Sequence, residues 1–142
     1  MFDKIDMRSQ VAVYVQIENQ IQYAISSGEL KEGDQLPSVR ELSIRLEVNP
    51  NTVAKSYRDL QVMGLLTSRR GMGVYVIKGA EAKCREESRR RVIERLYEVA
   101  MEAKACGMPS TELRDLAKKC YDVEAALYAP APQSLLSLAK EK

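Results

Sequence analysis

Between Gly28 and Gly73 the chain meets helix start and stop signals at such short intervals that no long element fits there. Gly28 closes one apolar pattern, Pro37-Ser38 and Asn49-Pro50 precede two others, and Gly64 closes the last before the sequence "RRGMG". Asparagine is among the best N-caps. Proline just after it loses only an amide hydrogen that would have no partner there, and its fixed φ suits a helical start. Asn49-Pro50 therefore opens a helix rather than breaking one. "SVRE" at 38–41 fits the capping box, in which Ser38 accepts from the Glu41 amide and the Glu41 carboxylate reaches back to the Ser38 amide.

Apolar periodicity fills these intervals. Tyr14, Ile17, Ile21, Ala24 and Ile25 share one helical stripe and predict a helix over about residues 10–27. Leu30 and Leu36, in the connector, face the core. Val39, Leu42 and Leu46 predict a short helix ending near 46. In the next helix Val53, Tyr57 and Leu60 fall on one side, while Asn51, Lys55 and Arg58 fall on the other. Two β-prone runs, Leu65–Ser68 and Val74–Ile77, flank the glycine-rich tip of a hairpin. Beyond "KGAEAK", heptad-like spacings of three and four join Val92, Leu96, Val99, Ala103 and Cys106, then Leu113, Leu116, Cys120, Val123 and Leu127. These seams predict two helices, 81–105 and 110–127, in an antiparallel hairpin.

The fold class is mainly α (α+β): a winged helix-turn-helix over 1–78, a two-helix dimerisation and effector region over 79–130, and a tail over 131–142 that is flexible or a short helix. Tryptophan is absent and phenylalanine occurs once, so the core must rest on aliphatic residues and tyrosine. Such a thin core gains from self-association. Val92, Leu96, Val99, Ala103, Leu113, Leu116, Cys120 and Val123 are the candidate dimerisation residues.

Several function classes drop out. Histidine is missing, which removes the commonest general base and metal ligand. There is no P-loop, no G-x-S-x-G and no dinucleotide fingerprint, so the chain is expected to be no enzyme and to carry neither cofactor nor metal. Three widely spaced cysteines on the second-half helices (Cys84, Cys106, Cys120) read as reduced, part-buried thiols. No apolar run approaches the ~20 residues that cross a bilayer, and "MFDKIDMRSQ" has no signal-peptide pattern, which points to the cytoplasm and away from membranes.

Net charge is only +2, but its distribution is informative. Residues 38–78 hold seven bases (Arg40, Arg45, Lys55, Arg58, Arg69, Arg70, Lys78) against three acids, whereas 1–37 are net negative. A polyanion would be drawn to the middle of the chain. In a winged helix-turn-helix the third helix meets base edges in the major groove. Asn51 can pair with adenine, Lys55 with guanine or a phosphate, and Arg58 with a phosphate further along. Arg69 and Arg70 lie where a wing straddles the backbone, with the narrow tip Gly71-Met72-Gly73 at the minor groove.

Residues 14–76, "YVQIENQIQYAISSGELKEGDQLPSVRELSIRLEVNPNTVAKSYRDLQVMGLLTSRRGMGVYV", resemble the DNA-binding domain of the GntR family of bacterial transcription regulators. The motifs G-x-L-x-x-G-x-x-L-P-S-x-R, Y-x-x-L and R-x-G-x-G fall in order. The resemblance implies that Ser38, Arg40, the start of the third helix (Asn49, Asn51, Thr52) and the wing glycines touch operator DNA. Pro50 stands where many members have arginine. The stretch beyond 79 is too short for the large effector domains of other branches, and with "VNPNTVAKSYRDL" it is similar to the YtrA-like branch. That branch implies homodimers that repress their own operon and neighbouring genes, often for ABC transporters, from an inverted-repeat operator in double-stranded DNA. A small-molecule effector would bind between the tail helices or at the hinge near Lys78–Ala80. The rival is a protein-interaction module that docks through the winged domain.

Overall fold

The computed structural model describes residues 2, 4–123 and 133–137. Its elements are α1 (Val13–Ser26), α2 (Val39–Leu46), α3 (Pro50–Val62), β1 (Leu66–Arg69), β2 (Gly73–Val76), α4 (Ala80–Ala105), α5 (Ser110–Tyr121) and α6 (Gln133–Leu136). The chain divides into two compact units between Ser88 and Arg89. The first unit runs ten residues past the boundary read from sequence because the opening turns of α4 belong to its core: Ala80 and Cys84 are buried there.

In the first unit α3 packs on α1, α2 and β1. Ile17, Ile21, Ala24 and Ile25 of α1 meet Leu42 and Leu46 of α2 and Val53, Tyr57 and Leu60 of α3 in one aliphatic cluster, closed by Leu30, Leu36, Leu65, Leu66 and Val76. Two side-chain bonds fix how α3 sits. Ser56 Oγ, buried, donates to the Tyr14 carbonyl of α1 at 3.0 Å, and Tyr57 Oη donates to the Pro37 carbonyl before α2 at 2.7 Å.

Helix α1 starts at Val13 rather than near residue 10. The chain before it folds back onto the buried Gln16, whose amide nitrogen donates to the carbonyls of Asp6 and Val11 while its oxygen accepts from the Asp6 amide. Ile5 is thereby brought into the core. The strands pair antiparallel in the register Leu66↔Val76 to Arg69↔Gly73, one residue away from the predicted bounds at each start. Residues 33–36 line the free edge of β2: the Leu36 amide donates to the Val74 carbonyl, and the Val76 amide donates to the Asp34 carbonyl.

In the second unit α4 ends at Ala105. Gly107, at φ 78°, reverses the chain while the Met108 amide donates back to the Ala103 carbonyl. Cys106 consequently lies beyond the helix and is exposed, as is Cys120 on α5; of the three thiols only Cys84 is buried. Helix α5 stops at Tyr121, where Asp122 would place an acid at the negative end of the helix dipole. Val123 thus follows the helix instead of completing its seam, and Leu127 lies outside the described residues. On α4, Val92, Leu96 and Val99 are exposed, whereas Ala103 is buried within the protomer. Leu113 and Leu116 are half-buried.

Replacing Tyr57 with phenylalanine keeps the ring and removes the tie to Pro37. We expect a loss of about 1 kcal/mol in urea unfolding; an unchanged midpoint would show that the bond contributes nothing.

Candidate nucleic-acid interface

The candidate surface begins where α2 does. Ser38 caps α2 as the sequence predicts: the Glu41 amide donates to Ser38 Oγ at 3.1 Å, and the Ser38 amide donates to Glu41 Oε2 at 3.0 Å. Arg40 is exposed on the first turn, and its carbonyl accepts from Ser43. The turn into α3 passes through Glu47 at φ 56°, an αL conformation that costs a non-glycine residue roughly 1–2 kcal/mol per residue. The packing of α2 against α3 on both sides of this turn holds it there.

Asn49 caps α3, its Oδ1 accepting from the Asn51 amide at 2.8 Å. That use leaves Asn51 as the exposed amide side chain on the first turn, with Thr52 half-buried beside it. Arg58 is exposed one turn beyond Lys55. Lys55 is more constrained than its spacing suggests. Its ammonium lies 2.8 Å from Asp59 Oδ2 and 4.3 Å from the centre of the Tyr14 ring. At 45% exposure this is a surface ion pair, weak enough to be exchanged for a stronger anion.

Behind the pair sits Glu18 of α1, only 6% exposed, with Oε1 lacking a hydrogen-bond partner among the described residues. Desolvation, then its hydrogen bond to Asp59 and the repulsion of that carboxylate, push Glu18 up to about 7 from an ordinary 4.5. The hydrogen bond from Lys55 holds Asp59 below the usual carboxylate range, with Glu18 adding to the effect. Sequence reads Tyr14 only as part of the apolar stripe of α1 and does not single out Glu18 or Asp59: the three gather only when α1 and α3 pack.

The wing carries Arg69 at the end of β1 and Arg70, Gly71 and Met72 in its loop, all exposed. Arg69 stacks 4.8 Å from the centre of the Tyr75 ring. Gly71 and Gly73 both have positive φ, 74° and 108°. The first unit thus carries Ser38, Arg40, Asn51, Lys55, Arg58, Arg69 and Arg70, on elements that pack or pair with one another. Among the described residues no group of His, Cys, Asp and Glu could hold a metal, and no helix is long and apolar enough to cross a membrane.

The family profile of bacterial regulatory proteins of the gntR family matches residues 13–76. The HTH-type transcriptional repressor YtrA of Bacillus subtilis is 34% identical over 116 residues, which cover 82% of this chain and 89% of that one. Among solved structures, a GntR family transcriptional regulator from Listeria monocytogenes superposes with a TM-score of 0.66 at 29% identity, over 87% of this chain and 100% of that one. YtrA from Sulfolobus acidocaldarius, a GntR-family transcription factor, gives 0.54 at 37% identity, over 67% of this chain and 96% of its own.

Glu18 predicts a pH dependence. Because its folded pKa is raised, its contribution to stability is complete below about pH 4.5 and is lost as pH rises through about 7. Asp59, depressed and more exposed, acts in the opposite sense only in acid. Glu18→Gln should therefore flatten the fall in melting temperature between about pH 4.5 and 7. A wild type whose stability does not fall over that window would exclude a buried, protonated Glu18.

Proposed function

Since this chain belongs to the gntR family of bacterial regulatory proteins and is a DNA-binding transcription regulator, we propose that it acts as a homodimeric repressor on an inverted-repeat operator. The observation that carries this reading is the exposed, basic face of α3 flanked by Arg40 and by a glycine-tipped wing bearing Arg69 and Arg70. In it, Asn51 and Arg40 read base edges in the major groove, and Lys55 leaves Asp59 for guanine or a phosphate. Arg58, Arg69 and Arg70 grip phosphates, and Gly71-Met72-Gly73 enters the neighbouring minor groove. Ser38, Asn49 and Thr52 contribute at the two helix starts, where backbone amides favour phosphate.

The second unit supplies the dimer. Val92 at 63% and Leu96 at 53% exposure, with Val99 beside them, form an apolar row that a second copy would cover. Leu113, Leu116 and Cys120 of α5 extend it. A twofold dimer matches an inverted repeat. The genes controlled would be the protein's own operon and its neighbours, with ABC transporter genes suggested by the YtrA-like character of the chain. For a small-molecule effector we assign the cavity of about 270 Å³ lined by Ile25, Leu30, Glu32, Gly79, Ala80 and Arg85, at the hinge into α4.

Selection of genomic fragments by the purified protein, then footprinting at two salt concentrations, tests the reading. Two protected half-sites about one helical turn apart, or a multiple, are expected. Retention that is blind to sequence and collapses with salt would leave only the electrostatics of the basic patch. On the best fragment, Arg40→Ala or Asn51→Ala should cost about 1–3 kcal/mol, and Arg70→Ala should lower the salt slope by about one. Equal repression in cells by an Asn51→Ala, Lys55→Ala double variant would favour the protein-docking alternative. Separately, Leu96→Glu should weaken the dimer in sedimentation; an intact dimer places the interface elsewhere.

A further inference from the structure

The wing of this protein is not a free hairpin. The carbonyl of Met72, in the tip, accepts two side-chain hydrogen bonds: one from Gln35 Nε2 at 2.8 Å, the other from Tyr75 Oη at 2.9 Å. Gln35 and Tyr75 form an antiparallel bridge between the segment before α2 and β2. Residues opposite one another across such a pair project to the same side. Hence both donors reach one acceptor. Gly73 completes the arrangement, because a Cβ built on it would lie 2.6 Å from Gln35 Nε2. The absence of a side chain at Gly73 is what lets the glutamine cross to Met72. Tyr75, held through its hydroxyl, is in turn the platform over which the Arg69 guanidinium stacks.

From this geometry we infer that Gln35 is the positioning residue of the wing: it clamps the Met72 carbonyl and so sets the tip and Arg69 for DNA before DNA arrives. The inference rests on the proposed placement of the wing at the minor groove. Gln35 lies two residues before Pro37, whose carbonyl is held by Tyr57 of α3, and next to Leu36, whose amide is bonded to Val74. The clamp therefore ties the wing to the entry of α2 and to α3, so the groove-facing elements move as one piece. A loop fixed in its bound shape gives up less conformational freedom on binding. Gln35 itself need not touch DNA. Its side chain is exposed, so its loss should leave the core intact.

The test uses Gln35→Met, which keeps the length and removes the donor, and Gln35→Glu, which keeps the shape and offers the carbonyl only an acceptor at neutral pH. In the free protein, amide exchange at Arg70, Gly71 and Met72 should quicken in both variants, while the ladder amides of Leu36 and Val76 and the melting temperature stay unchanged. On the footprinted fragment both variants should bind about three- to tenfold more weakly, the effect of one net hydrogen bond. They should lose backbone protection at the outer flanks yet keep guanine protection in the major groove. Wild-type exchange at the tip together with wild-type flanks would overturn the clamp. So would a Glu variant that behaves as wild type while the Met variant does not, since packing rather than donation would then matter. Arg69→Ala and Arg70→Ala serve as controls: if neither alters the flanks or the salt slope, the minor-groove placement fails, and the exchange data still judge the clamp.

Discussion

With Val53, Ser56, Tyr57 and Leu60 all buried, α3 has one face committed to α1, α2 and β1, and only its opposite face can meet a ligand. That commitment has a polar component as well as an apolar one. Ser56 bonds to the α1 backbone and Tyr57 to the chain entering α2, so the helix is fixed in rotation as well as in position. A rotation of one residue, roughly 100°, would bury Asn51 or Arg58 and expose Val53 or Leu60. The orientation of Asn51 and Arg58 therefore follows from aliphatic packing several residues away.

Electrostatics then sorts residues that spacing treats alike. Lys55 and Arg58 look equivalent on a helical wheel, yet only Lys55 leans on α1, where Asp59 and Tyr14 hold it. Because the pair is half exposed, water and salt already weaken it, and a phosphate offers Lys55 a comparable partner. Glu18 is different. Burial raises its carboxyl to about 7, so near neutral pH it carries only part of a negative charge beneath a surface meant for an anion. The packing of α1 thus tempers an acid that charge counting would place against DNA.

What was legible in the sequence was whatever depends on neighbours a few residues apart. The Ser38–Glu41 capping box, the Asn49-Pro50 start, the apolar faces of α1 and α3 and the glycine-tipped hairpin are all local, and each predicted feature has its counterpart in the structure. What escaped depends on residues far apart in the chain. Gln16 reads as a surface residue of an amphipathic helix until Asp6 and Val11 fold back on it. Gln35 reads as a loop residue until β2 comes alongside. The heptad spacing carried the α5 prediction through Asp122, whose charge at the helix end outweighed the apolar count. Cys84 illustrates the same limit: the position suggested a tail helix, whereas the contacts place it in the core of the first unit.

The exposed apolar surface of α4 constrains the proposed dimer further than the seam alone. Beside the row of Val92, Leu96 and Val99 runs a second row, Ile93, Tyr97 and Met101, also exposed. On an α-helix residues one position apart differ by about 100°, so the two rows together span well over the narrow stripe that a two-stranded coiled coil buries. A partner covering only the first row would leave Tyr97 and Ile93 in water. A bundle, in which each α4 meets more than one helix, covers both. Ala103, small and buried near the end of α4, leaves room for a helix to approach closely there. The apolar width of α4 is thus an argument for a four-helix interface built from α4 and α5 of two copies rather than for a simple zipper.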